Sequence, residues 1–311
     1  MKAIRLHAPG GPETLVYEDA PDPHPQAGEV LVRVHATAIT PTEFAWQTTF
    51  QTRNSEPRPF PIILGHEFSG IIAALGPDVA DFSVGDAVYG MNDWFGDGAQ
   101  AEYCLARSVE IAPKPRSLSH TEAAVVPISA LTAWQGLFEH AGLTEGNKVL
   151  VHGAAGGVGV FAVQLACWRE ARVIGTAWTA NLDFVRRLGA IEAIDYQTQR
   201  FEDVVQDVDV VFDTVGGETL KRSWAVVKPE GKIVSASHLN ETAKDPGVRD
   251  TFFLVRADRR QLVEIARLLD AGELRSFVAR VFPLDQATQA YARAEQGHLR
   301  GKIVLEMTKQ K

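Results

Sequence analysis

The chain has 311 residues, 45% hydrophobic and 23% charged, with a formal net charge of −8 at pH 7. That length allows two domains and a large core, and the charge argues against a broad nucleic-acid surface. No apolar run approaches the about 20 residues of a membrane span, and two cysteines, Cys104 and Cys167, make no disulfide framework. No membrane association is expected. The N-terminus has no signal-peptide core, so the sequence reads as cytoplasmic.

Taken in order, the N-terminal third carries short β-like runs at Val30–Val34, Phe68–Ala74, Ala87–Tyr89 and Ala101–Leu105. Turns such as Gly85-Asp86 and Gly96-Asp97-Gly98 break them, which predicts a compact, mostly β domain. A helix pattern over Leu118–Glu139 then leads into the most informative stretch, Val149–Cys167. Val149, Leu150 and Val151 read as a strand, and Gly153–Gly159 as a glycine-rich bend. Val158, Phe161, Ala162, Leu165 and Ala166 then fall on one face of a helix. Strand, glycine turn and helix in that order make a dinucleotide-phosphate site: the turn admits backbone to the pyrophosphate, and the helix N-terminus offers unpaired N–H groups. The spacing G-x-G-x-x-G is met by Ala154, Gly156 and Gly159, with an additional Gly157. A glycine turn also serves as a plain connector, so context decides.

That context is regular alternation. Strand-like runs follow at Arg172–Thr176, Ala193–Asp195, Val208–Asp213, Lys232–Ser235 and Thr251–Val255, with helix-like Leu182–Leu188, Glu218–Val227 and Arg259–Ala271 among them. A parallel sheet covered on both faces is predicted. Leu239–Asp250 is polar and irregular and reads as a mobile loop. After Ala271 the β texture returns, with Arg280–Phe282 and Lys302–Glu306 flanking helix-like Leu284–Glu295. The expected fold class is α/β plus β. Residues 1–121 and 272–311 form the substrate domain, and a doubly wound domain, 122–271, is inserted with a ligand cleft between them.

Four segments together resemble the medium-chain dehydrogenase/reductase superfamily, and within it the zinc-free quinone oxidoreductase branch. They are Gly65-His66-Glu67-Phe68-Ser69-Gly70, Val84-Gly85-Asp86-Ala87-Val88-Tyr89-Gly90, Ala154-Ala155-Gly156-Gly157-Val158-Gly159 and Gly301-Lys302-Ile303-Val304-Leu305. The resemblance implies a GroES-like substrate domain, an inserted Rossmann domain, hydride transfer from a nicotinamide and a homodimer or higher homo-oligomer. Zinc-dependent relatives place a cysteine where this chain has Thr40, and a further ligand near Pro127–Ala130, where Ser129 is a poor donor. His66 and Glu67 offer only one or two of the about three ligands a catalytic zinc needs, so His66 reads as a hydrogen-bonded turn histidine, and the enzyme as metal-free.

An acid after the second strand holds the ribose of NAD, yet Gly175, Thr176, Ala177 and Trp178 include none. NADPH is therefore favoured over NADH, although Leu182 stands where the family often has a lysine. In the resemblance Tyr196 meets the 2′-phosphate, Phe253 and Val255 meet the nicotinamide amide by backbone, and Lys302 lies near the cofactor, unless it is simply an exposed lysine at a strand start. Ala155, Gly156, Gly157 and Val158 form the phosphate bend. Thr176 and Thr179 offer hydroxyls, and Trp178 a ring for the adenine.

Without zinc, an electrophilic acceptor such as a quinone or another conjugated carbonyl is the expected small-molecule partner. Phe44, Trp46, Phe50, Trp94 and Phe95 are rings that either sandwich it or fill the core. Thr40 and Glu43 are the candidate catalytic residues. Thr40 either donates to the acceptor carbonyl or caps the helix that Pro41 begins, and Glu43 either acts there or is a first-turn acid. A zinc alcohol dehydrogenase with unusual ligands and a dinucleotide-binding redox sensor without turnover are the alternatives.

Overall fold

A computed structural model describes residues 1–237 and 243–307. The N-terminal strands are β1 (Lys2–Leu6), β2 (Leu15–Asp19), β3 (Glu29–Ala38), β4 (Ile62–Ile63), β5 (Glu67–Leu75), β6 (Ala87–Met91), β7 (Tyr103–Arg107) and β8 (Ile111–Pro113), with one short helix, α1 (Gln47–Phe50), before β4. β3 shows why the region is β. Val30, Val32 and Val34 are buried while Leu31 and Arg33 between them are not, the period-two pattern of a sheet covered on one face. Towards its end Ala36, Thr37 and Ala38 are all buried, where α2 (His120–Ala124) packs on the strand.

Next comes α3 (Pro127–Trp134), then five parallel strands: β9 (Lys148–Val151), β10 (Arg172–Ala177), β11 (Glu192–Asp195), β12 (Val208–Asp213) and β13 (Val227–Ser235). They stand in the order β11-β10-β9-β12-β13. Between and after them lie α4 (Gly157–Trp168), α5 (Leu182–Arg187), α6 (Gly217–Ser223), α7 (Pro246–Arg249) and α8 (Arg259–Asp270). Val149, Leu150 and Val151 of β9 are all buried, as a central strand covered on both faces requires. α8 is amphipathic, with Leu262, Ile265, Leu268 and Leu269 buried, and Asp258 caps it by accepting from the Arg260 and Gln261 amides.

The chain then returns through β14 (Val278–Pro283), α9 (Ala287–Glu295) and β15 (Lys302–Glu306). β15 pairs with β3, so the tail completes the first large sheet in the order β14-β15-β3-β5-β6-β8, with β7 also on β3. Two further contacts join the lobes: the Tyr89 hydroxyl donates to the Leu262 carbonyl at 2.6 Å, and the Gly301 amide to the Ala155 carbonyl at 3.0 Å.

Three sequence expectations change. The helix over Leu118–Glu139 divides into α2, α3 and a π-helical turn, Gln135–His140. Pro127 has no amide to continue α2 and starts α3 instead. Thr251–Val255 forms no strand; it makes a single bridge, Ser235 to Phe252, before turning away. Its departure is fixed by the Trp94 indole N–H, which donates to the Val255 carbonyl at 3.1 Å. In the segment expected to be a mobile loop, residues 239–242 lie outside the described residues, whereas Pro246–Arg249 is a helical turn capped by Asp245.

Candidate active site

A cavity of about 630 Å³ lies between the two lobes. One wall is the glycine bend. β9 ends at Val151, Gly153 takes a φ of +69°, and Gly156 precedes α4, so Ala155, Gly156, Gly157 and Val158 all face the cavity. The first amides of α4 have no intrahelical acceptor, and its first turn holds no acid. Glycine is needed here for close packing: a Cβ at Gly159 would stand 2.1 Å from the Gly153 carbonyl oxygen, and one at Gly157 2.6 Å from Lys302 Cγ. The cavity and the unpaired amides at this side-chain-free bend suit a dinucleotide pyrophosphate.

At one end Trp178 and Tyr196 line the cavity, joined there by His298 from the returning chain. The His298 ring lies 4.5 Å from the Trp178 ring between centroids, and its Nδ1 is 3.2 Å from the Tyr196 hydroxyl. No Asp or Glu lines the cavity among the described residues. Two expected hydroxyls are not brought to it: Thr176 Oγ1 is buried against His152 Nδ1 at 3.1 Å, and Thr179 donates to Asp195 at 2.5 Å.

At the other end stand Thr40, Trp46, Trp94, Ser129, Phe253, Val255 and Lys302. Trp46 and Trp94 meet edge to face at 5.3 Å. Phe44, Phe50 and Phe95 do not line the cavity: Phe44 packs on Tyr291, Phe50 on Phe60, and Phe95 under Arg53. Lys302 Nζ donates to Thr40 Oγ1 at 3.0 Å and is hydrogen-bonded and ion-paired to Glu67 Oε1. Glu67 is fully buried, and its other oxygen accepts the Ile128 amide at 2.9 Å. Burial pushes the Glu67 carboxyl above its ordinary range, opposed by the Lys302 ammonium. Ser129 Oγ is buried on this wall without a hydrogen-bond partner.

Glu43 is placed elsewhere. It is the first-turn acid of a 3₁₀ turn begun by Pro41, buried behind the cavity wall, and accepts from the Gly65 amide at 2.9 Å, with His66 Nδ1 at 2.6 Å. Thr40 precedes that turn but makes no side-chain capping bond. His66 Nε2 is buried without a partner, and its ring lies 5.2 Å from the Trp94 ring. Among the described residues no three of His, Cys, Asp and Glu gather as a metal site. Burial pushes the Cys104 and Cys167 thiols up to about 12 and about 11, which leaves neither a nucleophile at neutral pH.

Sequence reasoning weighed Glu67 and Ser129 only as metal donors and passed over His298. The signal for Glu67 was a carboxylate within an apolar strand, which needs a buried partner. For His298 it was a ring next to Gly297, shortly before β15.

A family profile described as the alcohol dehydrogenase GroES-like domain matches residues 26–116, and one described as zinc-binding dehydrogenase matches residues 188–305. A probable zinc-binding mitochondrial oxidoreductase of Arthroderma benhamiae is 33% identical, covering 98% of this chain and 96% of the relative. A human mitochondrial NAD(P)H oxidoreductase is 30% identical over 90% of this chain and 82% of its own length. The solved quinone oxidoreductase from Coxiella burnetii superposes with a TM-score of 0.90 at 32% identity, covering 99% of each chain. Such likeness over nearly the whole length, together with the GroES-like lobe and the parallel nucleotide-binding sheet, establishes that this chain belongs to the medium-chain dehydrogenase/reductase superfamily, in its quinone oxidoreductase branch.

Proposed function

We propose that the protein is a zinc-independent reductase that passes hydride from NADPH to a quinone or an α,β-unsaturated carbonyl. The observation that carries this reading is the cleft itself: the glycine bend, a pair of tryptophans and a Thr40–Lys302 donor pair face one largely apolar cavity. The nicotinamide, when bound, supplies the hydride. The protein's part is to hold a flat acceptor within about 3–3.5 Å of it, exclude water and present a hydrogen bond to the acceptor oxygen. Trp46 and Trp94 give the flat surface, Thr40 the hydrogen bond, and the Phe253–Val255 segment the backbone wall against which the nicotinamide amide is read.

NADPH is preferred over NADH because, among the described residues, the cavity has no carboxylate to repel a 2′-phosphate, and Tyr196 and His298 offer it polar groups. Zinc independence rests on the donors. Thr40 and Ser129 are poor zinc ligands, Trp94 lies against the ring of His66, and the Lys302 ammonium already occupies Thr40. The word zinc in the family description and in one relative's name belongs to them. We extend the reading to a homo-oligomer in a reducing compartment such as the cytoplasm, which suits two free cysteines. Oxidation of NADPH followed with quinones, enones and enoyl thioesters, and repeated with NADH, tests the proposal. Turnover of a quinone or enone with NADPH ahead of NADH is expected. Tight NADPH binding with no turnover of any acceptor would instead favour a redox sensor.

A further inference from the structure

We infer that Lys302 is a catalytic residue whose ammonium stabilises and then protonates the acceptor oxygen through Thr40, with Glu67 as its positioning residue. This rests on the reading of the cavity as an acceptor site. A lysine ammonium has three donors and no acceptor, so at 3.0 Å from Lys302 Nζ the Thr40 oxygen must accept. Thr40 lines the cavity and therefore keeps its own hydrogen to give.

The pair is built to stay in place. The Lys302 stem lies against Gly157, with no room there for even a methyl group, and its ammonium is held by a carboxylate with no solvent exposure. The other oxygen of that carboxylate is tied to the amide of Ile128. The charged and titratable groups around Lys302 are Glu67, behind the ammonium, and Glu43 beyond it, whose Oε1 is engaged by Gly65 and His66. The ammonium and the Thr40 hydroxyl thus stand between these carboxylates and the cavity.

Chemically, hydride reaching the acceptor's β-carbon drives the C=C electron pair toward the carbonyl oxygen. That oxygen takes the Thr40 hydrogen while Lys302 gives Thr40 one of its own, so Thr40 remains a hydroxyl. The neutral amine regains its proton from water when the product leaves.

The test needs no turnover. 4-Nitrophenol, a phenol whose anion is yellow, mimics the reduced acceptor and is titrated spectroscopically on the native protein and on variants. Bound to the native protein, it ionises about one pH unit or more below its value in water, the size expected for a cation one or two bonds away. Glu67→Gln/Lys302→Met, which removes both charges of the pair together, abolishes the shift, Lys302→Arg keeps most of it, and Thr40→Val reduces it. Binding with unshifted ionisation, or a shift that survives in the double variant, would overturn the role of Lys302 alone. Failure of the probe to bind would overturn the acceptor-site reading and this inference with it.

Discussion

Two carboxylates, Glu43 and Glu67, are buried side by side in the substrate lobe, and they have opposite fates. Glu43 is turned inward, where the Gly65 amide and the His66 ring engage it. Glu67 is paired with an ammonium that reaches the cavity wall. Burial is common to both, so burial alone does not mark a reacting group; the connection to a ligand space does. Glu43 holds the turn that aims Thr40, and Glu67 holds the lysine that sets the polarity of the Thr40 hydroxyl.

The largest effect should come from splitting the Glu67 pair. Glu67→Ala leaves the Lys302 ammonium buried without its counter-charge and is expected to cost about 3–5 kcal/mol of unfolding free energy in urea. Most of that returns in the Glu67→Gln/Lys302→Met double variant. A cost no greater than that of Glu43→Ala would erase the contrast between the two sites.

A third buried group, His152, sharpens the comparison because it is a base, and hydroxyls rather than charged groups hold it. Thr176 and Ser223 flank its two nitrogens, and burial pushes it down from an ordinary value of 6.5 to about 4. The folded value lies below the unfolded one, so the fold holds the neutral ring. Its contribution is complete above about 6.5 and is lost as pH falls toward about 4, on the order of 3 kcal/mol across that window. Urea midpoints measured against pH should show this decline, and His152→Asn should flatten it.

Glu43→Ala leaves the Gly65 amide and His66 without their acceptor and should cost about 1–3 kcal/mol. The ionisation of bound 4-nitrophenol should move far less than in the Glu67→Gln/Lys302→Met variant, which separates the two carboxylates. The smallest effect belongs to the far end of the cavity. Tyr196→Phe should weaken NADPH by about 0.5–1.5 kcal/mol in a fluorescence titration while leaving NADH unchanged.

The two ends of the site were unequally legible in the sequence. The glycine bend could be read because all its requirements are local: strand, tight turn and helix N-terminus lie within Val149–Cys167, and the order β9, bend, α4 follows from residue types alone. β12 is likewise a mostly apolar run, interrupted by Asp209 and ending in Asp213, and its limits match the expectation. The Lys302–Glu67 pair joins residues 235 positions apart, so no spacing rule reports it. Each residue had an ordinary local reading, a strand-start lysine and a possible metal donor. Thr176 and Thr179 failed differently: side-chain type gave a donor, but direction sent one hydroxyl under the bend and the other to Asp195. The missing strand at Thr251–Val255 had β-like composition, yet the chain is drawn out of the sheet where Trp94 bonds the Val255 carbonyl.

The central claim is that hydride crosses this cleft from NADPH to a conjugated acceptor, and isotope transfer tests it most directly. NADPH carrying deuterium at C4, prepared in each of its two stereochemical forms, is incubated with the protein and an enone in ordinary water. One of the two forms is predicted to leave deuterium on the β-carbon of the saturated ketone, with the α-hydrogen drawn from solvent. Recovery of unchanged enone, or of product with no label from either form, would contradict the account.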